Sequence, residues 1–118
     1  MTEFLLIRHG ETDWNRALRF QGQIDVELND MGLTQAARLA QHVRHSDWAH
    51  VSHWHCSDLK RALQTAQPLV DDPSLLQAES NLREQGFGIF EGKSVDELQR
   101  DEATLWAQWR CFDADFEL

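Results

Sequence analysis

Arg8, His9 and Gly10 form a tripeptide whose side chains could handle a phosphoryl group. The guanidinium of Arg8 offers a planar fork of donors that matches phosphate oxygens. A neutral imidazole at His9 could attack phosphorus, and Gly10 lets the backbone come close to a substrate. Asn15 adds an amide donor that could fold back onto the same oxyanion. Taken alone, the tripeptide also fits a solvated strand end.

The element that must position this tripeptide is the apolar run Phe4 to Ile7, which directly precedes it. A continuous apolar run predicts a strand that is buried on both faces, as in a parallel sheet. Arg8 and His9 would then lie at the carboxyl end of the strand, where open α/β sheets bind their ligands.

Further strands and helices alternate along the chain. The apolar spacing and the capping residues predict a helix from Thr34 to about His45 and a strand from Val51 to Cys56. A second helix, capped by Ser57 and ended near Pro68, is followed by a strand from Leu75 to Ala78. The capping box Ser94–Glu97 opens a third helix, with Phe112 on its apolar face. Residues 11–33 predict a long functional loop in which Arg16, Arg19 and Gln23 could face a substrate. This alternation implies right-handed crossovers and a parallel sheet.

Composition excludes several classes of partner. The 118 residues carry a net charge of −9, which argues against nucleic acid and against anionic membrane surfaces, since both require basic patches. Cys56 and Cys111 are too few for a disulfide framework, and we expect two buried, reduced thiols. Without an apolar signal or spanning segment, the sequence predicts a soluble cytoplasmic protein.

The pattern Arg-His-Gly-Glu-Thr-x-x-Asn at residues 8–15 resembles the histidine phosphatase superfamily, the phosphoglycerate-mutase-like group. Three further blocks, at residues 21–36, 57–66 and 82–92, are similar to the family's motifs and follow in the family's order. The resemblance implies an α/β fold with three layers, α/β/α, around a mostly parallel sheet that is incomplete in this chain.

The resemblance also implies roles for individual residues. His9 would be the nucleophile, Glu84 the general acid and base, and Arg8, Arg61 and Asn15 would hold the phosphoryl oxygens, with Gln21 and Gly22 binding substrate. The two arginines should keep His9 neutral by charge repulsion. No metal and no cofactor is implied, and the histidines from His42 to His55 lack the spacing of one metal site.

The sequence departs from the family after Gly92. Relatives have a second half with a further histidine just before a glycine, and no such pair follows here. We therefore expect residues 1–118 to be one histidine-phosphatase-like domain truncated at its C-terminus, weakly active or inactive. The missing strand would leave the edge beside Phe4 open, which predicts self-association.

The reaction suggested by the sequence is hydrolysis of small phosphomonoesters through a phosphohistidine, with a small phosphorylated molecule as partner. One alternative is a cofactor-dependent phosphoglycerate mutase, which shares the phosphohistidine step. Gln21-Gly22-Gln23 favours the phosphatase, because mutases of the family tend to have an aromatic residue after that glycine. The other alternative is a non-catalytic fragment that binds a phosphoanion.

Overall fold

The computed structural model describes residues 1–111, and Phe112 lies outside the described residues. These residues form an α/β fold with two compact units. The first unit combines Met1–Asp13 with Asp25–Arg83, and the second combines Trp14–Ile24 with the residues from Glu84 onward.

Helices and short strands alternate through most of the chain. The α-helices are α1 (Asp13–Arg16), α2 (Asp30–Arg44), α3 (Lys60–Ala66), α4 (Val95–Asp101) and α5 (Ala103–Arg110). The strands are β1 (Trp54–Ser57) and β2 (Leu76–Glu79). Single 3₁₀ turns cover Asp47–His50, Gln67–Leu69, Pro73–Leu75, Ser80–Leu82 and Gly88–Phe90.

Strands β1 and β2 pair in parallel, and the register sets Trp54 beside Leu76 and Cys56 beside Ala78. Helix α3 lies between them in the chain, as a parallel pair requires, because parallel strands need a long crossover. The expected strands at Val51 to Cys56 and Leu75 to Ala78 are thus confirmed as paired segments, with their bounds shifted toward the C-terminus.

The expected strand at Phe4 to Ile7 is not formed among the described residues. Leu5 and Ile7 pack against the core cluster of Ala40, Val43 and Leu69, whereas Phe4 is 79% and Leu6 90% exposed. The expectation of two buried faces was wrong because the first unit covers one face of this segment only. A strand also needs a hydrogen-bonded neighbour, and the described residues supply none.

Helix α2 begins earlier than the sequence suggested. Its N-cap is Asn29, whose Oδ1 accepts from the backbone N–H of Gly32 at 2.8 Å. Thr34 was expected to cap the helix, but its hydroxyl donates to the carbonyl of Asp30 from inside the first turns. Asparagine is a stronger N-cap than threonine, so the earlier residue starts the helix.

Helix α3 begins after Leu59 and ends at Ala66, ahead of Pro68. Ser57 does not cap it. The Ser57 hydroxyl accepts from the backbone N–H of Leu59, the residue just before the helix, and not from an N–H inside the helix. The corner between β1 and α3 is therefore a short side-chain-supported turn. Arg61 occupies the second position of the helix.

The second unit has an aromatic core. Phe20 lies 5.0 Å from Phe87, 5.9 Å from Phe90, 6.0 Å from Trp106 and 5.5 Å from Trp109, measured between ring centroids. Phe90 and Leu98 are fully buried. The pairs of Phe20 with Phe87, Trp106 and Trp109 are edge-to-face, and each such pair stabilises a core by about 0.5–1.5 kcal/mol beyond the area buried.

The capping box at Ser94 and Glu97 is confirmed, since each side chain bonds the other residue's backbone N–H. The single helix expected after it is divided into α4 and α5 at Glu102. The backbone of Glu102 leaves helical geometry (φ −134°, ψ 39°), and its carboxylate pairs with the Lys93 ammonium at 3.0 Å. The sequence pattern could not show this ion pair.

Both cysteines are free thiols, but only Cys56 is buried as expected, and Cys111 is exposed just after α5. No helix in the described part of the chain is long and apolar enough to span a membrane.

Candidate active site

His9 is half-buried in the first unit, and its ring orientation is fixed by a local bond. The Nδ1 atom lies 2.6 Å from the carbonyl oxygen of Gly10. A carbonyl oxygen can only accept, so Nδ1 carries the proton. In the neutral ring the lone pair is then on Nε2, the nitrogen that a nucleophilic histidine would use.

Thr65 connects the Arg8-His9-Gly10 segment to the helix that carries Arg61. The backbone N–H of Gly10 donates to Thr65 Oγ1 at 2.9 Å, and this hydroxyl donates to the carbonyl of Arg61 at 2.7 Å. Both residues of the first bond are buried. The first unit thus joins the two arginine motifs through one hydroxyl.

The two motif arginines of the first unit differ in exposure. Arg8 is exposed, whereas Arg61 is 3% exposed in the first turn of α3. A guanidinium remains charged at all relevant pH values, and charges interact more strongly where water is excluded. Arg61 therefore places its guanidinium in the interior of this unit.

Gly10 is required by a close approach of backbones. A Cβ atom at Gly10 would lie 2.7 Å from the carbonyl oxygen of Gly32 in α2, and a Cβ atom at Gly32 would strike the carbonyl of Glu11. The glycine was expected to leave room for substrate. The structure gives it a second role, which is the packing of residues 10 and 11 on the start of α2.

The second unit contains the remaining expected site residues. Asn15 lies half-buried in α1, while Gln21 and Gly22 are both buried. Gln21 and Ile24 close a turn through a 3.0 Å backbone bond, and Gly22 has a φ of +53°, a conformation that favours glycine.

Glu84 is the exposed first residue of the second unit's later segment. Its carboxylate accepts from the backbone N–H of Gln85 at 2.8 Å. Its carbonyl accepts from the side-chain amide of Gln23 at 3.2 Å. The segment from Gln21 to Gln23 and the start of the acidic loop are thus brought together within this unit.

Arg19 does not face a substrate as the sequence suggested. Its guanidinium donates to both carboxylate oxygens of Glu97, at 2.7 and 3.3 Å, and to the carbonyl of Gly92 at 2.7 Å. The planar fork of arginine suits such a bidentate carboxylate contact. The role of Arg19 is to tie the early segment of the second unit to the start of α4.

The sequence did not point to Thr65 in the first unit or to Glu91 in the second unit as supporting residues. Thr65 stands four residues after Arg61 on the same helical face, a spacing that could have pointed to it. Glu91 Oε1 accepts from the backbone N–H groups of Gln23 and Phe87, at 3.0 and 3.1 Å. No local sequence pattern predicts these two contacts of Glu91.

Asp58, in the corner before α3, is held by Arg83. Arg83 Nε and Nη2 each donate to one carboxylate oxygen of Asp58 at 2.6 Å. These hydrogen bonds, with the positive charge of Arg83, lower the pKa of Asp58 below its ordinary value. Burial and the nearby Asp58 charge together raise the pKa of the Cys56 thiol, so this thiol is not activated.

No group of three His, Cys, Asp or Glu side chains within residues 1–111 is arranged to hold a metal ion. The histidines from His45 to His55 make separate contacts. His45 bonds the carbonyl of Gln41, His53 the hydroxyl of Ser52, and His55 lies 3.9 Å from Glu79.

Solved structures with a similar fold include phosphatases. A phosphoserine phosphatase from Entamoeba histolytica, solved in complex with 3-phosphoglyceric acid, is 33% identical with a TM-score of 0.74, over 86% of this chain and 48% of that one. A mycobacterial glucosyl-3-phosphoglycerate phosphatase, solved as a complex with VO3, is 33% identical with a TM-score of 0.75, over 86% and 50%.

Among curated relatives, a Yersinia pestis protein named "Probable phosphoglycerate mutase GpmB" is 40% identical over 111 residues. The match covers 93% of this chain and 48% of the relative, so the chain spans about half the relative's length. The family model described as "Histidine phosphatase superfamily (branch 1)" matches residues 4–118. The chain therefore belongs to branch 1 of the histidine phosphatase superfamily.

Proposed function

We propose that this chain is part of a single phosphatase domain that hydrolyses small phosphomonoesters through a phosphohistidine on His9. The observation that carries the proposal is the 2.6 Å bond from His9 Nδ1 to the Gly10 carbonyl. This bond sets the tautomer in which Nε2 holds the lone pair. A nucleophilic imidazole needs that arrangement in its ground state.

In the proposed first step His9 Nε2 attacks phosphorus, so that an N–P bond forms while the P–O bond to the leaving group breaks. Glu84, as a carboxylic acid, gives its proton to the leaving oxygen. In the second step water attacks the phosphoryl group, Glu84 takes a proton from that water, and the N–P bond breaks. Inorganic phosphate leaves and both side chains return to their starting states.

Arg8, Arg61 and Asn15 are proposed to bind the phosphoryl oxygens, whose charge is greatest in the transition state. The low exposure of Arg61 supports its role, because water screens a buried charge only weakly. Gln21 and Gly22 are proposed to bind substrate as well. These donors, together with the VO3 bound by the similar mycobacterial phosphatase, support the proposal that the substrate carries a phosphoryl group.

Substrates with different leaving groups test the proposed role of Glu84. Glu84→Gln removes the proton donor, and general acid catalysis is typically worth about 10²–10⁴-fold. We expect the variant to lose most activity toward glycerol phosphate, whose alkoxide leaves poorly, and less toward para-nitrophenyl phosphate. Equal rates for Glu84→Gln and the unchanged chain on glycerol phosphate would overturn the role of Glu84.

A phosphoglycerate mutase is the second candidate, because the Yersinia relative carries that name. The two reactions share the phosphohistidine and differ in whether water or a second hydroxyl receives the phosphoryl group. Incubation with 3-phosphoglycerate and its bisphosphate separates them. Phosphate release supports the phosphatase, and isomerisation that outruns phosphate release supports the mutase.

A non-catalytic phosphoanion-binding role is the third candidate. Calorimetry with inorganic phosphate, run beside turnover of para-nitrophenyl phosphate, distinguishes it from an enzyme, since binding without turnover supports the binding role.

We also propose that the reaction needs no metal, so that EDTA should leave the rate unchanged. The two free thiols support a cytoplasmic location.

A further inference from the structure

Glu91 lies where two segments of the second unit meet. One carboxylate oxygen, Oε1, accepts from the backbone N–H of Gln23 at 3.0 Å and from that of Phe87 at 3.1 Å. Charge-assisted bonds of this kind are roughly twice as strong as neutral ones. A single half-buried side chain thus links the turn at Gln21–Ile24 to the loop that begins with Glu84.

Gly22 shows that this contact is close. A Cβ atom at Gly22 would collide with Glu91 Oε1, and the φ of +53° at Gly22 disfavours any other residue. The absence of a side chain at Gly22 is what allows the Glu91 carboxylate to reach the N–H of the next residue, Gln23.

The contact continues to Glu84 through Gln23. With its backbone N–H held by Glu91, Gln23 donates its side-chain amide to the Glu84 carbonyl at 3.2 Å. The carboxylate of Glu84 in turn accepts from the N–H of Gln85 at 2.8 Å. These bonds form a continuous series from Glu91 through Gln23 to Glu84.

From these contacts we infer that Glu91 is a positioning residue, which holds the Glu84 loop against the Gln21–Gln23 turn so that Glu84 can transfer protons. This inference rests on the proposed function of Glu84. A displaced general acid loses catalytic power steeply, about 10²-fold for roughly 1 Å. Glu91 itself is proposed to exchange no proton with the substrate.

The test compares Glu91→Leu, which removes the acceptor at similar size, with Glu91→Gln, which keeps an acceptor oxygen. Each is assayed on glycerol phosphate and on para-nitrophenyl phosphate. We expect Glu91→Leu to lose about tenfold more activity on glycerol phosphate than on the aryl ester, as a weakened general acid would, and Glu91→Gln to restore the ratio of the two rates.

Glu102→Leu is the matched control, because it removes another half-buried carboxylate of the same unit, the one paired with Lys93. It should leave the ratio of the two rates unchanged. Equal losses on both substrates in Glu91→Leu, or the same altered ratio in Glu102→Leu, would show that Glu91 only stabilises the unit and would overturn the inference.

Amide hydrogen exchange tests the inference without relying on turnover, since residues 1–118 are expected to be weakly active or inactive. In Glu91→Leu the N–H groups of Gln23, Phe87 and Gln85 should exchange faster than in the unchanged chain. The Gln85 amide reports the Glu84 carboxylate, to which it is bonded. Unchanged protection of Gln85 would mean that Glu91 does not position Glu84.

Discussion

The backbone N–H of Gly10 donates to the hydroxyl of Thr65 at 2.9 Å, across 55 residues of sequence. This bond anchors the residue next to His9 on the helix that carries Arg61. It is the clearest connection between the two arginine motifs within the first unit.

Thr65→Val should therefore damage both stability and activity. The substitution keeps the shape of the side chain but leaves a buried N–H without its acceptor, which costs about 1–3 kcal/mol. Urea unfolding measures the loss, and Thr65→Ser, which retains the hydroxyl, should recover most of it. Equal unfolding midpoints for the valine and serine variants would show that the Gly10 bond contributes nothing.

The Arg83–Asp58 pair predicts a pH dependence of stability. Because the pKa of Asp58 is lowered in the folded state, its contribution is fully present above the unfolded aspartate pKa of about 3.9. It is lost as the pH falls through the lowered folded pKa. Arg83→Met should thus be less stable than the unchanged chain near pH 7, and the difference should vanish in acid.

The measurement for this pair is the urea midpoint of both chains across that pH range. A difference that persists unchanged below the folded pKa of Asp58 would mean that Arg83 stabilises by packing of its stem and not through the carboxylate.

The exposed side chains of Phe4 and Leu6 predict self-association. At 79% and 90% exposure they present apolar surface beside a segment that pairs with no strand among the described residues, and such edges recruit other chains. Sedimentation velocity should show concentration-dependent association that Leu6→Lys weakens. Leu33→Lys, at a 46% exposed position of α2, is the control and should not. A chain that stays monomeric at every concentration contradicts this prediction.

Local sequence patterns were enough to predict several elements of the fold. The capping box at Ser94 and Glu97 and the short strand near Leu76 were predictable because their signals lie within a few residues. The strand predicted at Phe4 to Ile7 is not formed, since a strand requires a hydrogen-bonded neighbour, which sequence periodicity does not reveal. The division of the last predicted helix at Glu102 was not predictable either.

The candidate site residues were chosen from short sequence motifs, whereas the contacts that support them could not be predicted. His9, Arg61 and Glu84 stand in short motifs whose order resembles the family's. Their supporting contacts bridge long stretches of chain, 55 residues for Gly10 with Thr65 and 68 for Gln23 with Glu91. No window of sequence contains both partners, so only the folded structure shows them.

The most direct test of the central claim is a search for phosphate on His9. The chain is mixed with para-nitrophenyl phosphate, quenched by denaturation at alkaline pH, where phosphohistidine survives, and mapped by peptide mass spectrometry. We predict one phosphoryl group on the peptide containing His9, and neither label nor turnover in His9→Asn. Turnover with no label on His9, or turnover retained by His9→Asn, would contradict it.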